Sequence, residues 1–390
     1  MSSARTSLEL PGRLPGLRRA AAVCLWITAP LLMAALVAMV GGTHDLGFDF
    51  HGGIWNAGRD ILHGHSPYRP HRIDAIEAHI RAGGAAPRII ELPVYPPAVL
   101  IALAPFALLP AGAANALFVV LLLPLPGVAL WLLGVRDLRC YSLMYLSAPL
   151  LLGTEIGTLS PLLLLGCALV WYLRDRAVTA GLIVAALVCA KLFLWPLVVW
   201  FVITRRWRAA AVASGASAVG AVAGFVFVGS ADLRAYPHML SVLSSIEQTQ
   251  GYSAVAAASR LGAPATLARG VAVALGVGLL AVAWRTARRG DESAALGIVV
   301  CAALVLTPIL WLHYLVLLFV PIALRRRTLG WEWAVPLLLW LTPMQQTIDR
   351  PWGIAVGMLA VGLAVAICLR GGHGGGWNRT SDEPVMSGLL

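Results

Sequence analysis

The sequence is poor in charged side chains, and this shortage argues against a soluble globular protein. Only 12% of the residues are charged, against about 25% in an ordinary soluble domain, while 59% are hydrophobic. Apolar runs of roughly 15 to 25 residues recur along the chain, and a helix needs about 20 apolar residues to cross a bilayer. Because backbone amides in lipid must be satisfied within the protein, these runs predict membrane-spanning helices.

Several other signals are missing. No series of ten-residue segments alternates apolar with polar residues, which argues against a transmembrane β-barrel. The six cysteines form no C-x-x-C pair, so a disulfide framework or a zinc site is not indicated. No glycine-rich phosphate loop of the Walker or dinucleotide type occurs. The net charge of +11 comes largely from arginine clusters between apolar runs, where arginine marks the cytoplasmic side and does not indicate nucleic-acid binding.

These arginine clusters predict how the chain crosses the membrane. They lie at 13–19, 174–176, 205–208, 285–289, 325–327 and 370. Because successive clusters on one side must be separated by an even number of helices, we expect an all-α polytopic inner-membrane protein of about ten to twelve helices. Its N-terminus would be cytoplasmic and its first helix would span 20–40. Residues 1–370 are predicted to form one transmembrane domain, and the glycine-rich tail 371–390 a disordered cytoplasmic segment.

Two loops are predicted on the extracytoplasmic side, at about 42–96 and 230–263. The first holds six of the eighteen acidic residues and six of the nine histidines. In this loop, apolar residues recur at helical spacing, first at Ile54, Ala57, Ile61 and Leu62, and again at Ile73, Ile76 and Ile80. Amphipathic helices of this kind lie along a membrane surface. A simple helix bundle does not need such a loop, so we interpret it as a functional element.

In a chain this apolar, an ionisable side chain at membrane depth indicates function. The candidates are Asp45, Asp49, Glu155, Lys191, Glu247 and His313. Simpler interpretations exist: Asp49 could cap a helix or pair with Arg59, Lys191 could extend to the membrane interface, and His313 stands among aromatic residues that are ordinary there. The predicted topology places most of them towards the outer leaflet. We therefore expect one cavity that opens to the outside.

The stretch 49–68, which reads DFHGGIWNAGRDILHGHSPY, resembles the first-loop signature of glycosyltransferase family 87. That family comprises actinobacterial membrane mannosyl- and arabinosyltransferases with the C-type (GT-C) fold. Its signature is an aspartate after the first helix, an Ala-Gly-Arg helix and a Gly-x-x-Pro-Tyr end. Further matches follow in the same order at 95–97, 104–110, 180–182, 191–196, 205–208, 251–253, 260–262, 307–308 and 311–314.

The resemblance extends over about residues 20–345, with one departure. Where the family usually has Gly-Gln-x-Asn/Ser, this chain has Gly157-Thr158-Leu159-Ser160. Whatever the glutamine contributes in the family is therefore missing from this chain or is supplied by Glu155.

The resemblance implies an inverting transfer from a polyprenyl-phosphate sugar donor on the outer face of the membrane. Asp49 would be the general base, and His313 would orient the acceptor or contact the leaving phosphate. Lys191, Arg59 or Arg260 would neutralise the phosphate. The predicted substrate-binding residues are Arg59, Tyr68, Tyr95, Lys191, Arg260, Tyr314 and Glu155. We expect no metal and no cofactor, because cationic side chains can serve the phosphate.

The expected function is transfer of mannose from a polyprenyl-phosphate donor to a glycolipid or glycan acceptor of the cell envelope. Its partners would be that donor, the acceptor and membrane lipids, and no nucleic acid. Arabinofuranose is the alternative sugar, since the family contains both activities. A lipid-linked-sugar flippase or transporter would predict internal repeats with paired broken helices, and no convincing repeat is present. A non-catalytic scaffold should tolerate Asp49→Asn, which an enzyme should not.

Overall fold

The computed structural model describes residues 47–82, 84, 93–229, 232–343 and 350–370. These residues form helices joined by short turns, and no β-strand occurs among them. The predicted first helix at 20–40, the candidate Asp45 and the tail 371–390 lie outside the described residues.

The described first part of the chain forms short helices, several of which have a proline in the first turn. They are a π-helical segment (Phe50–Trp55), α1 (Asn56–Leu62), α2 (Pro70–Arg81), α3 (Pro97–Leu103), a 3₁₀ turn (Ala104–Leu108), α4 (Ala111–Leu122), α5 (Leu125–Leu132) and α6 (Leu138–Tyr145). Proline fits the first turn of a helix because its missing N–H would be unpaired there in any case. Pro97 and Pro126 occupy such first-turn positions.

The remainder of the chain alternates long helices with short broken ones. It contains α7 (Ala148–Glu155), α8 (Ser160–Tyr172), α9 (Ala177–Ala190), a 3₁₀ turn (Leu192–Leu194), α10 (Pro196–Ile203), α11 (Trp207–Val228), α12 (Asp232–Gln250), α13 (Ala254–Arg260), α14 (Ala265–Arg288), α15 (Glu292–Leu306), a 3₁₀ helix (Leu312–Leu318), α16 (Phe319–Arg325), a 3₁₀ helix (Trp331–Leu341) and α17 (Pro351–Leu369). α7 and α8 meet at a bend of 120°.

Among the described residues, four helical stretches are long and apolar enough to cross a membrane, or five if the bent α7–α8 pair is one broken span. They are Ala111–Leu132, Trp207–Val228, Ala265–Arg288 and Pro351–Leu369. In α11 and α14 only 11% and 17% of the apolar window is buried, so their apolar faces point outward, as lipid contact requires. The prediction of an all-α polytopic membrane protein is confirmed. Six further apolar helices in the described part of the chain have 10–17 residues, so the number of ten to twelve spans stays a prediction.

The buried centre of the bundle is α15, whose residues from Ala294 to Val305 are all buried. It packs against α10, α14, α16 and α17, while α9 packs along α11. α9 and α15 end close together, because the 3₁₀ turn after α9 contacts α15. The connections that follow these helices, at Lys191 and at Thr307–Trp311, therefore lie at one end of the core. The segment before α3 joins them there, and this places Tyr95 beside Lys191.

The helices of the first loop are amphipathic, as their spacing predicts. Ile54, Ala57 and Ile73 are buried, and Ile61 is partly buried. Leu62 is 47% exposed at the protein surface. It is the last residue of α1 and points about 100° away from Ile61 around the helix axis.

Candidate active site

Asp49 lies directly before the π-helical segment and is joined to Tyr95. The Tyr95 hydroxyl donates a hydrogen bond of 2.7 Å to Oδ2 of Asp49. Tyr68 supports Tyr95 from behind, since its hydroxyl donates to the Tyr95 backbone carbonyl at 3.0 Å. Burial raises the pKa of the Asp49 carboxyl, while the charge of Lys191 and the Tyr95 hydrogen bond act in the opposite direction. Asp49 remains partly exposed, so a bound hydroxyl could reach this proton acceptor.

The turn between α7 and α8 holds the backbone of Asp49. The N–H groups of Asp49 and Phe50 both donate to the carbonyl of Ile156, at 2.9 and 3.2 Å. Gly157 has φ +72°, and a Cβ at this position would lie 2.8 Å from the Cβ of Phe50. Glycine permits both this backbone conformation and this close approach. Gly157 is also the first residue of the stretch 157–160, which departs from the family pattern. This stretch therefore begins next to Phe50, the neighbour of Asp49.

Lys191 stands between α9 and the following 3₁₀ turn and is only 6% exposed. Its Nζ lies 3.8 Å from the centroid of the Tyr95 ring, 5.3 Å from that of Tyr314 and 5.6 Å from that of Trp311. Aromatic faces attract a cation without neutralising it. The charge of Lys191 also interacts with the Asp49 carboxylate. Lys191 lies at the break between the helices α9 and α10.

A cavity of ≈ 260 Å³ lies beside Lys191. Trp311, Tyr314 and Tyr236 form an aromatic wall next to the lysine. The other lining residues are mostly apolar, and they are Val94, Leu192, Phe193, Trp195, Leu240, Leu306, Thr307, Pro308 and Ile309. Leu192 and Trp195 are 45% and 46% exposed, so apolar side chains connect the cavity to the protein surface.

His313 is the second residue of the 3₁₀ helix that follows the cavity wall, and it is 1% exposed. Its ring lies edge-on to that of Tyr314, with centroids 4.4 Å apart, and 5.7 Å from that of Trp311. Its Nδ1 and the Oγ of Ser160 are both buried without a hydrogen-bond partner among the described residues. Buried polar atoms nearly always have a partner, so both atoms could hydrogen-bond a bound polar ligand.

The structure brings together most of the residues singled out from the sequence. Asp49, Tyr95, Lys191, His313 and Tyr314 form one cluster, with Tyr68 behind it.

Glu155 lies beside this cluster. It is buried in the last turn of α7, where its carbonyl accepts the N–H of Gly47 at 2.7 Å. It does not line the cavity.

Arg59 and Arg260 lie apart from the cavity. Arg59 is exposed on α1, with its guanidinium carbon 5.0 Å from the centroid of the Trp55 ring. Arg260 is exposed at the end of α13. Neither residue lines the cavity beside Lys191.

Two residues of the cavity wall were not among those predicted from sequence to bind substrate. Trp311 and Tyr236 line the cavity, and the sequence gives no sign of their contact because they come from distant segments. Glu247 of α12 lies behind this wall, next to Trp311, and is 3% exposed. Burial raises the pKa of Glu247 to about 7. Its Oε2 has no hydrogen-bond partner in the described part of the chain.

The cluster places a proton acceptor and a positive charge at two sides of one tyrosine. A carboxylate can accept the proton of a hydroxyl within hydrogen-bond reach. A fixed cation in a water-poor site stabilises an anionic leaving group. The arrangement therefore suits a displacement in which a hydroxyl attacks and a phosphate leaves. Within the described residues, no three His, Cys, Asp or Glu side chains come together as metal ligands.

The comparison with known proteins gives one match. The sequence model of glycosyltransferase family 87 matches residues 94–310, more than half of the chain. The matched range includes Tyr95 and Lys191, while Asp49 and His313 lie outside it. No curated protein and no solved structure matches the chain.

Proposed function

The chain belongs to glycosyltransferase family 87, and from this premise we propose that it transfers mannose from a polyprenyl-phosphate donor to a glycolipid or glycan of the cell envelope. Membership of the family makes the chain a membrane glycosyltransferase. The donor, the sugar, the acceptor and the roles of individual residues belong to the proposal. We also propose that the active site faces the extracytoplasmic side of the inner membrane and that residues 1–370 act as one transmembrane unit.

The observation that carries the proposal is the meeting of Asp49 and Lys191 at Tyr95. The carboxylate binds the hydroxyl of this tyrosine at 2.7 Å, and the ammonium lies 3.8 Å from the centroid of its ring. Glycosyl transfer from a lipid phosphate needs a base for the acceptor hydroxyl and a cation for the leaving phosphate. Asp49 at the Tyr95 hydroxyl would serve as the base, and Lys191 over the Tyr95 ring would serve as the cation.

The cavity supports a donor carried on a lipid. A polyprenyl phosphate needs a cation for its phosphate and an apolar path for its chain. Lys191 supplies the cation, and its neighbours Leu192 and Trp195 carry the apolar lining to the surface. At ≈ 260 Å³ the cavity is below the roughly 300–1,000 Å³ of pockets that enclose drug-sized ligands. In our proposal it holds the head group, and the prenyl chain extends into the membrane.

In the proposed reaction, the acceptor hydroxyl gives its proton to Asp49 while its oxygen attacks the anomeric carbon. The bond between the anomeric carbon and the phosphate oxygen breaks, its electron pair leaves with the phosphate, and the configuration inverts. Lys191 stabilises the negative charge that the phosphate gains. His313 and Ser160 offer buried polar atoms that could orient the sugar or the acceptor. Tyr314 would form part of the surface against which the sugar packs.

The test is transfer of radiolabelled mannose from polyprenyl-phosphate mannose to envelope lipids and glycans by the purified protein. The wild type is compared with Asp49→Asn, which keeps the shape of the side chain but removes its basicity. Asp74→Asn is the matched control, because Asp74 lies in the same loop and its side chain is 68% exposed. Polyprenyl-phosphate arabinose is supplied in a parallel reaction.

We expect transfer from the mannose donor by the wild type and by Asp74→Asn, and a loss of about 10²- to 10⁴-fold in Asp49→Asn. Transfer from the arabinose donor alone would replace mannose with arabinofuranose and leave the proposed base intact. Equal activity of Asp49→Asn and the wild type would contradict the role of Asp49.

A further inference from the structure

A second, smaller cavity lies at the other end of the helices that carry the proposed active site. It is lined by Arg325, Arg326, Trp331, Glu332, Ile367 and Arg370. His313 and Arg325 stand near the two ends of the helical stretch from Leu312 to Arg325. Seven residues of 3₁₀ helix and seven of α-helix make this stretch about 24 Å long. The small cavity is therefore separate from the one beside Lys191.

Positive charge exceeds negative charge around this cavity. Arg325 donates from Nη1 to Asp291 at 2.7 Å, and Arg326 donates from Nε to Glu332 at 2.7 Å. The guanidinium of Arg370 lies 5.4 Å from the centroid of the Trp331 ring. Among the described residues, three guanidinium groups and one carboxylate line the cavity, and Asp291 pairs with Arg325 from outside the lining. The Arg325 side chain is only 8% exposed, and its Nε has no hydrogen-bond partner among the described residues.

The size and position of the cavity suit a phosphate group. Its volume is ≈ 50 Å³, and a water-sized group needs about 10–15 Å³ measured in the same way. There is thus room for roughly three to five such groups, and a phosphate has four oxygens. The cavity lies where the apolar helices α16 and α17 end, next to an exposed tryptophan. Lipid head groups and interfacial tryptophans share this level of a membrane.

We propose that this cavity binds a phosphate group, supplied by an anionic membrane lipid or by free inorganic phosphate. Basic pockets between transmembrane helices bind lipid phosphates in this way. Arginine also marks the cytoplasmic side of a membrane protein without binding a specific ligand. That role needs neither a cavity nor a buried guanidinium with an unpaired Nε. The proposal does not depend on the function of the site at Asp49.

The experiment measures binding to the full-length purified protein in a neutral detergent by native mass spectrometry and by the rise in unfolding temperature. The probes are dioleoylphosphatidylglycerol, dioleoylphosphatidylcholine as the zwitterionic control, and inorganic phosphate. Arg370→Gln removes a cation that lines the cavity. Arg289→Gln removes the same charge from an exposed residue that does not line it. Glu332→Gln removes the carboxylate that lines the cavity.

We expect phosphatidylglycerol or inorganic phosphate to bind the wild type and Arg289→Gln equally, and phosphatidylcholine not to bind specifically. Arg370→Gln should bind about fivefold more weakly, the factor that corresponds to one basic residue beside an anionic group. Glu332→Gln should bind more tightly, because it leaves Arg326 free for the phosphate. Binding of phosphatidylglycerol alone identifies a lipid as the source, and binding of inorganic phosphate alone identifies the free anion.

Two results would overturn the proposal. One is equal weakening in Arg370→Gln and Arg289→Gln, which would indicate general attraction to a basic surface. The other is the absence of binding of both phosphatidylglycerol and inorganic phosphate to a wild type that unfolds cooperatively.

Discussion

The hydroxyl of Tyr95 donates a hydrogen bond of 2.7 Å to the carboxylate of Asp49, although 46 residues separate the two in the chain. The same ring lies 3.8 Å, measured to its centroid, from the ammonium of Lys191. Tyr95 thus contacts the proposed base through its hydroxyl and the proposed phosphate-binding cation through its ring. These two contacts can be separated by mutation, because phenylalanine keeps the ring and loses the hydroxyl.

We expect Tyr95→Phe to lower kcat about tenfold and to change its pH dependence. The Tyr95 hydrogen bond lowers the pKa of Asp49, so its loss raises that pKa further. Because the active form of the base is the carboxylate, activity is present above this pKa and is lost as the pH falls through it. The acidic limb of the kcat/KM profile should therefore move to higher pH in Tyr95→Phe.

The matched control for this prediction is Tyr68→Phe. It removes another tyrosine hydroxyl of the same cluster, but one that binds a backbone carbonyl and not Asp49. Its acidic limb should coincide with that of the wild type, even if its rate is lower. An unmoved limb in Tyr95→Phe would mean that Asp49 is not the group whose protonation stops the reaction.

Lys191→Met should reduce kcat by about 10²- to 10³-fold, the usual cost of removing one electrostatic contact to the transition state. Arg59→Gln and Arg260→Gln are the controls, since these exposed arginines do not line the cavity. We expect both to stay within about threefold of the wild type. Steady-state transfer from the lipid donor measures all three variants. If Arg59→Gln or Arg260→Gln lost as much activity as Lys191→Met, the proposal that Lys191 binds the phosphate would be contradicted.

Lys191→Arg should not restore this activity. The ammonium is enclosed by the rings of Tyr95, Tyr314 and Trp311 in a site where only 6% of the residue is exposed. A guanidinium is planar and larger, so it cannot occupy the same position between these rings.

The helical fold of this protein could be predicted from sequence because hydropathy is a local property. The helices at Trp207–Val228 and Ala265–Arg288 match the apolar runs that predict them. The position of Lys191 between two helices was also predictable, since a single charge interrupts an apolar run there. The site was predicted only in part. Asp49 and Lys191 stand out as ionisable groups in an apolar chain, whereas their common contact with Tyr95 depends on how distant segments pack.

The exposed arginines show why charge alone is an ambiguous signal. Arg59 belongs to the motif that resembles the family signature, yet it lies on the outer face of α1 against Trp55. Trp311 and Tyr236 carry no charge and still line the cavity. Whether a residue reaches a cavity depends on the packing of whole helices, which a motif does not report.

Glu247 should make the stability of the protein depend on pH. Its pKa is raised by burial from 4.5 to about 7, so the folded state favours the protonated form. Stability is therefore highest at low pH and falls as the pH rises from about 4.5 through 7, by an amount of about 3 kcal/mol. Glu247→Gln should remove this contribution. The free energy of unfolding of the variant, compared with that of the wild type, should therefore be higher at pH 8 than at pH 5. Equilibrium unfolding in detergent at several pH values measures the difference.

Glu77→Gln is the control for Glu247, since Glu77 is a glutamate of the first loop whose side chain is 28% exposed. The Glu77→Gln variant should retain the loss of stability between pH 5 and pH 8 that Glu247→Gln removes. A wild type and a Glu247→Gln variant with parallel pH profiles would show that Glu247 ionises normally, and that its burial beside Trp311 does not affect its charge.

Gly157 and Gly64 have the same φ angle, and this allows a matched test of how Asp49 is held. Both have φ +72°, a conformation that costs an alanine about 1–2 kcal/mol. A Cβ at Gly64 would meet nothing within 4 Å, whereas a Cβ at Gly157 would lie 2.8 Å from that of Phe50. Gly64→Ala should therefore lose about 1–2 kcal/mol and keep its activity, while Gly157→Ala should lose about 1–3 kcal/mol more.

The activity of Gly157→Ala should also fall, and by more than its loss of folded protein explains. Ile156, the neighbour of Gly157, accepts the N–H groups of Asp49 and Phe50, so a shift of Phe50 displaces the carboxylate that we propose as the base. A displacement of about 1 Å at a reacting group can cost about 10²-fold in rate. Transfer per folded molecule, measured below the unfolding transition, separates this effect from stability. Because Gly64→Ala carries the same backbone strain without the contact, full activity in Gly157→Ala would mean that the α7–α8 turn does not position Asp49 for the reaction.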